Sequence, residues 1–201
     1  AQYPGMGREL REEFPVFREA FDRCAEVLRE HGGPDLHRVM ADAEKAGIIH
    51  QTGNTQPAIV ALEYALTELV RSWGVVPAAL LGHSVGEITA AAVAGVLHID
   101  DAMRLVAERG RLMQELPPGG GMLAVAADAG TARAAAEPFK DRVSLAALNG
   151  PTDVVLSGDG EALAAIAKVL GEQGVDSRSL TVSHAFHSPL MDPMLEPFEG
   201  L

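Results

Sequence analysis

The pentapeptide Gly82-His83-Ser84-Val85-Gly86 constrains this chain more than any other stretch. It follows a short, wholly apolar run, Ala78-Ala79-Leu80-Leu81, and precedes an alanine-rich segment, 87–96, with the character of a helix. The apolar run reads as a strand buried on both faces. A strand that passes at once into a helix leaves room only for a tight turn, and the two glycines permit the strained backbone such a turn needs. A serine placed there is presented in the arrangement called a nucleophile elbow. The helix that starts beside it aims N–H groups and the positive end of its dipole at the serine, where negative charge develops in acyl transfer. The Val85 N–H is the natural first donor to an oxyanion. His83 adjoins the serine, but neighbouring side chains on such a turn diverge, which leaves it a supporting role.

A serine hydroxyl at its ordinary pKa needs a base. Of the seven histidines, His31, His37, His50 and His98 stand in polar or loop contexts and are expected at the surface. His184 and His187 remain, in Ser183-His184-Ala185-Phe186-His187-Ser188-Pro189, and spacing does not choose between them. Arg109 sits in an amphipathic segment, 101–113, and admits two readings. It belongs either to a solvated face with ion pairs such as Arg104–Glu108, or to a pocket, where its guanidinium is a fork for a carboxylate.

The rest of the chain divides at Pro117-Pro118-Gly119-Gly120-Gly121, its strongest break. Before it, Phe17, Phe21, Cys24 and Leu28 form one helical stripe over 15–30. Ile59, Leu62, Leu66, Leu69 and Trp73 form another over 57–73, with Pro57 suited to the helix start. Asp100 or Asp101 is expected to cap a helix running to Met113. After the break the units shorten. Strands are predicted at 122–127, 143–148, 153–157 and 178–182. Helices are predicted near 131–139 and on the stripe Leu163, Ile166 and Leu170. The order β-α-β-β-α-β is that of a ferredoxin-like lobe.

Composition removes whole classes of function. Sixteen Lys and Arg against 28 Asp and Glu give a net charge of −12, a poor match for nucleic acid or anionic lipid. A single cysteine, Cys24, precludes an internal disulfide and multi-cysteine metal sites, and fits a reducing, cytoplasmic compartment. No apolar stretch is long enough to span a membrane. Both ends of the 201 residues read as interior sequence, so a fragment of something longer is expected.

Taken together, Gly82-His83-Ser84-Val85-Gly86-Glu87, Arg109-Gly110 with Met113-Gln114, and His184-Ala185-Phe186-His187 resemble the acyltransferase domains of modular type I polyketide synthases. More broadly the chain is similar to the malonyl-CoA:acyl-carrier-protein transacylases of fatty acid synthesis. Ala1-Gln2 with Gly5-Met6-Gly7-Arg8-Glu9-Leu10, Thr55-Gln56-Pro57-Ala58 and Asn149-Gly150-Pro151 fit the same family, and the resemblance runs the length of the chain.

The resemblance implies Ser84 as the acylated nucleophile and His187, the last histidine of the HAFH-type motif, as general base. It implies Arg109 as the partner of a malonyl carboxylate, with His184, Gln56, His83, Val85 and Phe186 around the substrate. It implies an α/β fold, with an α/β-hydrolase-like large lobe over 1–118, a ferredoxin-like lobe over 119–183, a return to the large lobe over 184–201, and an active site in the cleft. HAFH with a small aliphatic residue after the serine suggests malonyl rather than methylmalonyl, since Phe186 crowds an α-methyl. No bound cofactor or metal is implied; CoA thioester and phosphopantetheine arrive as substrates. Partners would be acyl-CoA, an acyl carrier protein and neighbouring synthase domains. The family's second oxyanion donor would precede Ala1, and the segment that steadies the catalytic histidine would follow Leu201. The competing readings are a serine hydrolase or thioesterase, recognised by transfer to water, and an inactive carrier-binding fragment, recognised by binding that survives loss of Ser84.

Overall fold

The computed structural model describes residues 2–41 and 47–200. Ala1 of the opening motif, residues 42–46 and Leu201 lie outside the described residues. The described chain forms two units, one through Gln114 and one over Glu115–Gly200. The segment 184–200, expected with the large lobe, groups with the second unit.

The regular structure described in the first unit is helical. Helix α1 is Arg8–Glu13, α2 Pro15–Glu30, α3 Leu36–Ala41, α4 Thr52–Ser72, α5 Gly86–Val93 and α6 Ile99–Gln114. The α2 stripe behaves as its period requires: Phe17, Phe21, Cys24 and Leu28 are buried, with Pro15 in the first turn. Helix α4 is the spine, packed against α2, α5 and α6. The core it shares holds Phe17, Leu28, Val60, Met103 and Val106.

Four local expectations give way to the observed structure. The run 78–81 forms no strand, and Leu81 is 97% exposed. A strand exists only through its ladder, and the one sheet among the described residues is formed wholly by the second unit. Helix α4 begins at Thr52, more than a turn before Pro57. The Gln51 carbonyl accepts from both Asn54 N–H and Thr55 N–H at 2.8 Å, which closes the first turn ahead of the proline. Helix α6 begins at Ile99, so Asp100 and Asp101 fall inside its first turn. Asp100 is held instead by Arg23, whose Nε donates at 3.0 Å. Finally, Arg104 pairs with Asp101 at 3.5 Å rather than with Glu108, which pairs with Arg111.

The second unit contains β1 Gly120–Val125, α7 Ala129–Ala136, β2 Val143–Gly150, β3 Asp153–Asp159, α8 Gly160–Glu172, β4 Ser177–Leu180 and a short α9, Leu195–Glu199. The strands form one antiparallel sheet in the order β2-β3-β1-β4, the topology expected of a ferredoxin-like lobe. Val154, Val155 and Leu156 are buried, as befits an inner strand. Both helices start on aspartate caps: Asp128 accepts from Gly130 N–H at 2.8 Å and Thr131 N–H at 3.1 Å, and Asp159 from Ala162 N–H at 2.9 Å. Leu163, Ile166 and Leu170 of α8 pack into this unit's core.

Candidate active site

In the first unit the chain turns sharply into α5 at Ser84. Ser84 has φ 52, in the left-handed region that a residue with a Cβ rarely occupies. The turn is closed by Gly86 N–H donating to the His83 carbonyl and Glu87 N–H donating to the Ser84 carbonyl, both at 3.0 Å. Gly82 allows it, because a Cβ there would lie 2.2 Å from the Glu87 nitrogen. Ser84 is half-buried and His83 exposed, while Val85 packs on the first unit's core. The Val85 N–H donates to no backbone carbonyl among the described residues. The elbow therefore forms without the strand expected to lead into it.

Helix α5 is fastened to the spine twice. Thr89 Oγ1 donates to Glu63 Oε2 at 2.5 Å, and Arg71 Nη2 donates to the Val93 carbonyl at 2.7 Å, at the helix's C-terminal end. These ties, between residues 26 and 22 positions apart, were not read from the sequence. Sequence spacing carries no signal for them.

The structure brings Arg109 and Gln56 together. The Arg109 Nη1 donates to Gln56 Oε1, and the Gln56 amide donates in turn to Thr52 Oγ1 at 2.8 Å and Met113 Sδ at 3.2 Å. Gln56 is 5% exposed. Burial lowers the pKa of the half-buried Arg109, and no neighbouring charge offsets it. Thr52 joins this cluster with no part in the sequence motifs, and Met113, quoted among them without a role, gains one as an acceptor; the i,i+4 spacings Thr52–Gln56 and Arg109–Met113 are the signal for both.

In the second unit the HAFH segment forms a compact loop. His184 is buried, with Nε2 3.1 Å from the Leu116 carbonyl oxygen and Nδ1 buried without a partner. Its ring lies 6.1 Å from that of Phe186, tilted by 49°. Ser188 Oγ donates to the Ala185 carbonyl at 2.6 Å and accepts from Leu190 N–H at 3.2 Å. His187 is exposed and, like Ser84, has a left-handed backbone, φ 60. These two are the only non-glycine residues with positive φ among those described. Such strain persists only where the surroundings impose it, and it gathers at functional sites.

His31, His37, His50 and His98 are exposed, as expected. Among the described residues no group of His, Cys, Asp and Glu is arranged to hold a metal ion, and no helix is long and apolar enough to cross a membrane.

Comparison with known proteins shows the family and the fold. Residues 1–199 match the family model described as Acyl transferase domain. Polyketide synthase GfsA of Streptomyces halstedii is 46% identical over 202 residues, covering 98% of this chain and 3% of that protein. A phenolphthiocerol synthesis polyketide synthase, Pks15/1 of Mycobacterium marinum, is 48% identical, covering 98% of this chain and 9% of that protein. The chain thus spans a small part of the curated relatives it matches. Among solved structures, the acyltransferase domain from the second module of the salinomycin polyketide synthase superposes with TM-score 0.94 at 50% identity, covering all of this chain and 46% of that one. The malonyl CoA-acyl carrier protein transacylase from Clostridium perfringens gives TM-score 0.90 at 31% identity, covering 100% of this chain and 63% of that one. With its helices and sheet, the chain shares their α/β class.

Proposed function

The chain belongs to the acyl transferase domain family, and from that premise we propose that it carries an extender acyl group, malonyl, from CoA to an acyl carrier protein through an ester on Ser84. The observation that carries the reading is the Ser84 backbone: a strained serine opening α5, with bare Gly82 where a side chain would collide. A merely structural turn has no need of a serine in that conformation.

In the first half-reaction His187 accepts the Ser84 proton as Oγ attacks the malonyl thioester carbon. The Oγ–C bond forms, and the oxyanion is met by the Val85 N–H and the positive end of α5. The C–S bond then breaks, and the proton passes from His187 to the departing CoA sulfur. In the second half-reaction His187 takes the proton of a phosphopantetheine thiol. The thiolate attacks the ester, and Ser84 leaves with the proton returned to it. Positioned acid–base help of this kind contributes about 10²–10⁴ in rate. Arg109 holds the malonyl carboxylate through both steps. The preference for malonyl over methylmalonyl is assigned to Val85 and Phe186 from the resemblance, and one methyl group commands ~1–3 kcal/mol of such discrimination. The chemistry needs neither a metal nor a resident cofactor.

Transfer is separated from hydrolysis by its acceptor. Incubated with malonyl-CoA and a carrier protein bearing phosphopantetheine, the protein is expected to yield malonyl-carrier in large excess over free malonate. Malonate as the main product would make the protein a hydrolase and overturn the reading.

A further inference from the structure

We infer that Gln56 is a specificity-determining positioning residue: a neutral tether that fixes the Arg109 guanidinium and leaves its positive charge for a substrate carboxylate. The inference rests on the carboxylate-binding role proposed for Arg109.

A guanidinium has donors only, so the amide oxygen of Gln56 must face it. The amide nitrogen is then directed at Thr52 Oγ1 and Met113 Sδ, which accept from it at 2.8 and 3.2 Å. Each end of the amide thus has partners of the right sign, and a flip would set donor against donor. Thr52 stands one helical turn before Gln56 on α4, and Met113 one turn after Arg109 on α6, so the cluster is rigid along both helices.

The tether is neutral where a charged one was available. The other arginines of α6 pair with acids: Arg104 with Asp101 and Arg111 with Glu108. Arg109, the most sheltered of the three, has no carboxylate partner among the described residues. Burying a cation against a neutral amide costs stability that a glutamate at position 56 would recover. A resident carboxylate, however, would neutralise the fork before substrate arrived. The ligand that completes the cluster is therefore a carboxylate on an acyl group, matched bidentately by the guanidinium.

The test compares the full chain with its Gln56→Glu, Gln56→Ala and Arg109→Ala variants, using malonyl-CoA and acetyl-CoA as donors, with thermal melting recorded for each. The Gln56→Glu substitution keeps the shape and the hydrogen bond to Arg109 but supplies the negative charge from within. The expected result is a malonyl-to-acetyl ratio of kcat/KM reduced about 10–100-fold in Gln56→Glu, and reduced also in Gln56→Ala. The parental ratio in Gln56→Glu, alongside a collapsed ratio in Arg109→Ala, overturns the role of Gln56 and leaves that of Arg109 standing. The parental ratio in Arg109→Ala overturns the carboxylate role itself. A parent that transfers neither group, or shows no preference, overturns both. Should Gln56→Glu fail to fold, the ratio of Gln56→Ala decides by the same criteria.

Discussion

Gly110 meets Gly53 where α6 crosses α4: a Cβ on Gly110 would lie 3.1 Å from Gly53 Cα and 3.0 Å from the Thr52 carbonyl oxygen. The crossing stands one residue from Arg109 and one turn from Gln56, so the spacing of the two helices sets how the two side chains meet. The contact is asymmetric, because a Cβ on Gly53 comes no nearer than 3.6 Å to the Gly110 carbonyl oxygen. Gly110→Ala is expected to lose about 1 kcal/mol, overpacking against backbone outweighing its gain in helix propensity. Gly53→Ala is expected to be neutral or slightly stabilising. Urea unfolding of both variants checks this, and equal effects would contradict the asymmetry.

The left-handed backbone at Ser84 predicts a difference between two substitutions that both remove the hydroxyl. Ser84→Gly relieves the strain and Ser84→Ala keeps it, so the glycine variant should unfold at higher urea, by about 1 kcal/mol. Gly82→Ala should abolish acylation, because its Cβ has nowhere to go. An alanine variant at Ser84 as stable as the glycine one would mean the turn is unstrained.

His184 faces the Leu116 carbonyl with Nε2, so that nitrogen carries the proton. His184→Leu strands a buried carbonyl and should cost about 1–3 kcal/mol. An unchanged unfolding midpoint would show that the HAFH loop is held by its other contacts alone.

Burial raises the Cys24 thiol from 9.0 to about 12. The folded state thus favours the protonated thiol. Its contribution to stability is fully present below pH 9.0 and is lost as pH climbs toward about 12. Two results are expected: no reaction with iodoacetamide at about pH 8 until the chain is unfolded, and a urea midpoint that falls more steeply between about pH 9 and 11 in the parent than in Cys24→Ala. Rapid alkylation of the folded protein would contradict the burial.

What was legible in the sequence was what short-range pattern controls. The stripe Phe17, Phe21, Cys24 and Leu28 and the β-α-β-β-α-β order each declare themselves within a few residues. The glycines of the elbow announced Ser84's turn. What pattern alone misreads is context. The residues 78–81 have the composition of a buried strand, but a strand is defined by neighbours that sequence does not specify. Pro57 looked like a helix start because nothing nearby shows that the Gln51 carbonyl closes a turn before it. The Gln56–Arg109 contact joins residues 53 positions apart; the resemblance put both near the substrate, but only the fold shows them bonded.

The central claim is that Ser84 carries the acyl group, and intact mass tests it most directly. The protein would be incubated with malonyl-CoA and methylmalonyl-CoA together, beside its Ser84→Ala variant. The account predicts one malonyl adduct on the parent and none on the variant. An adduct that persists in Ser84→Ala, or a folded parent that remains unmodified, would contradict it.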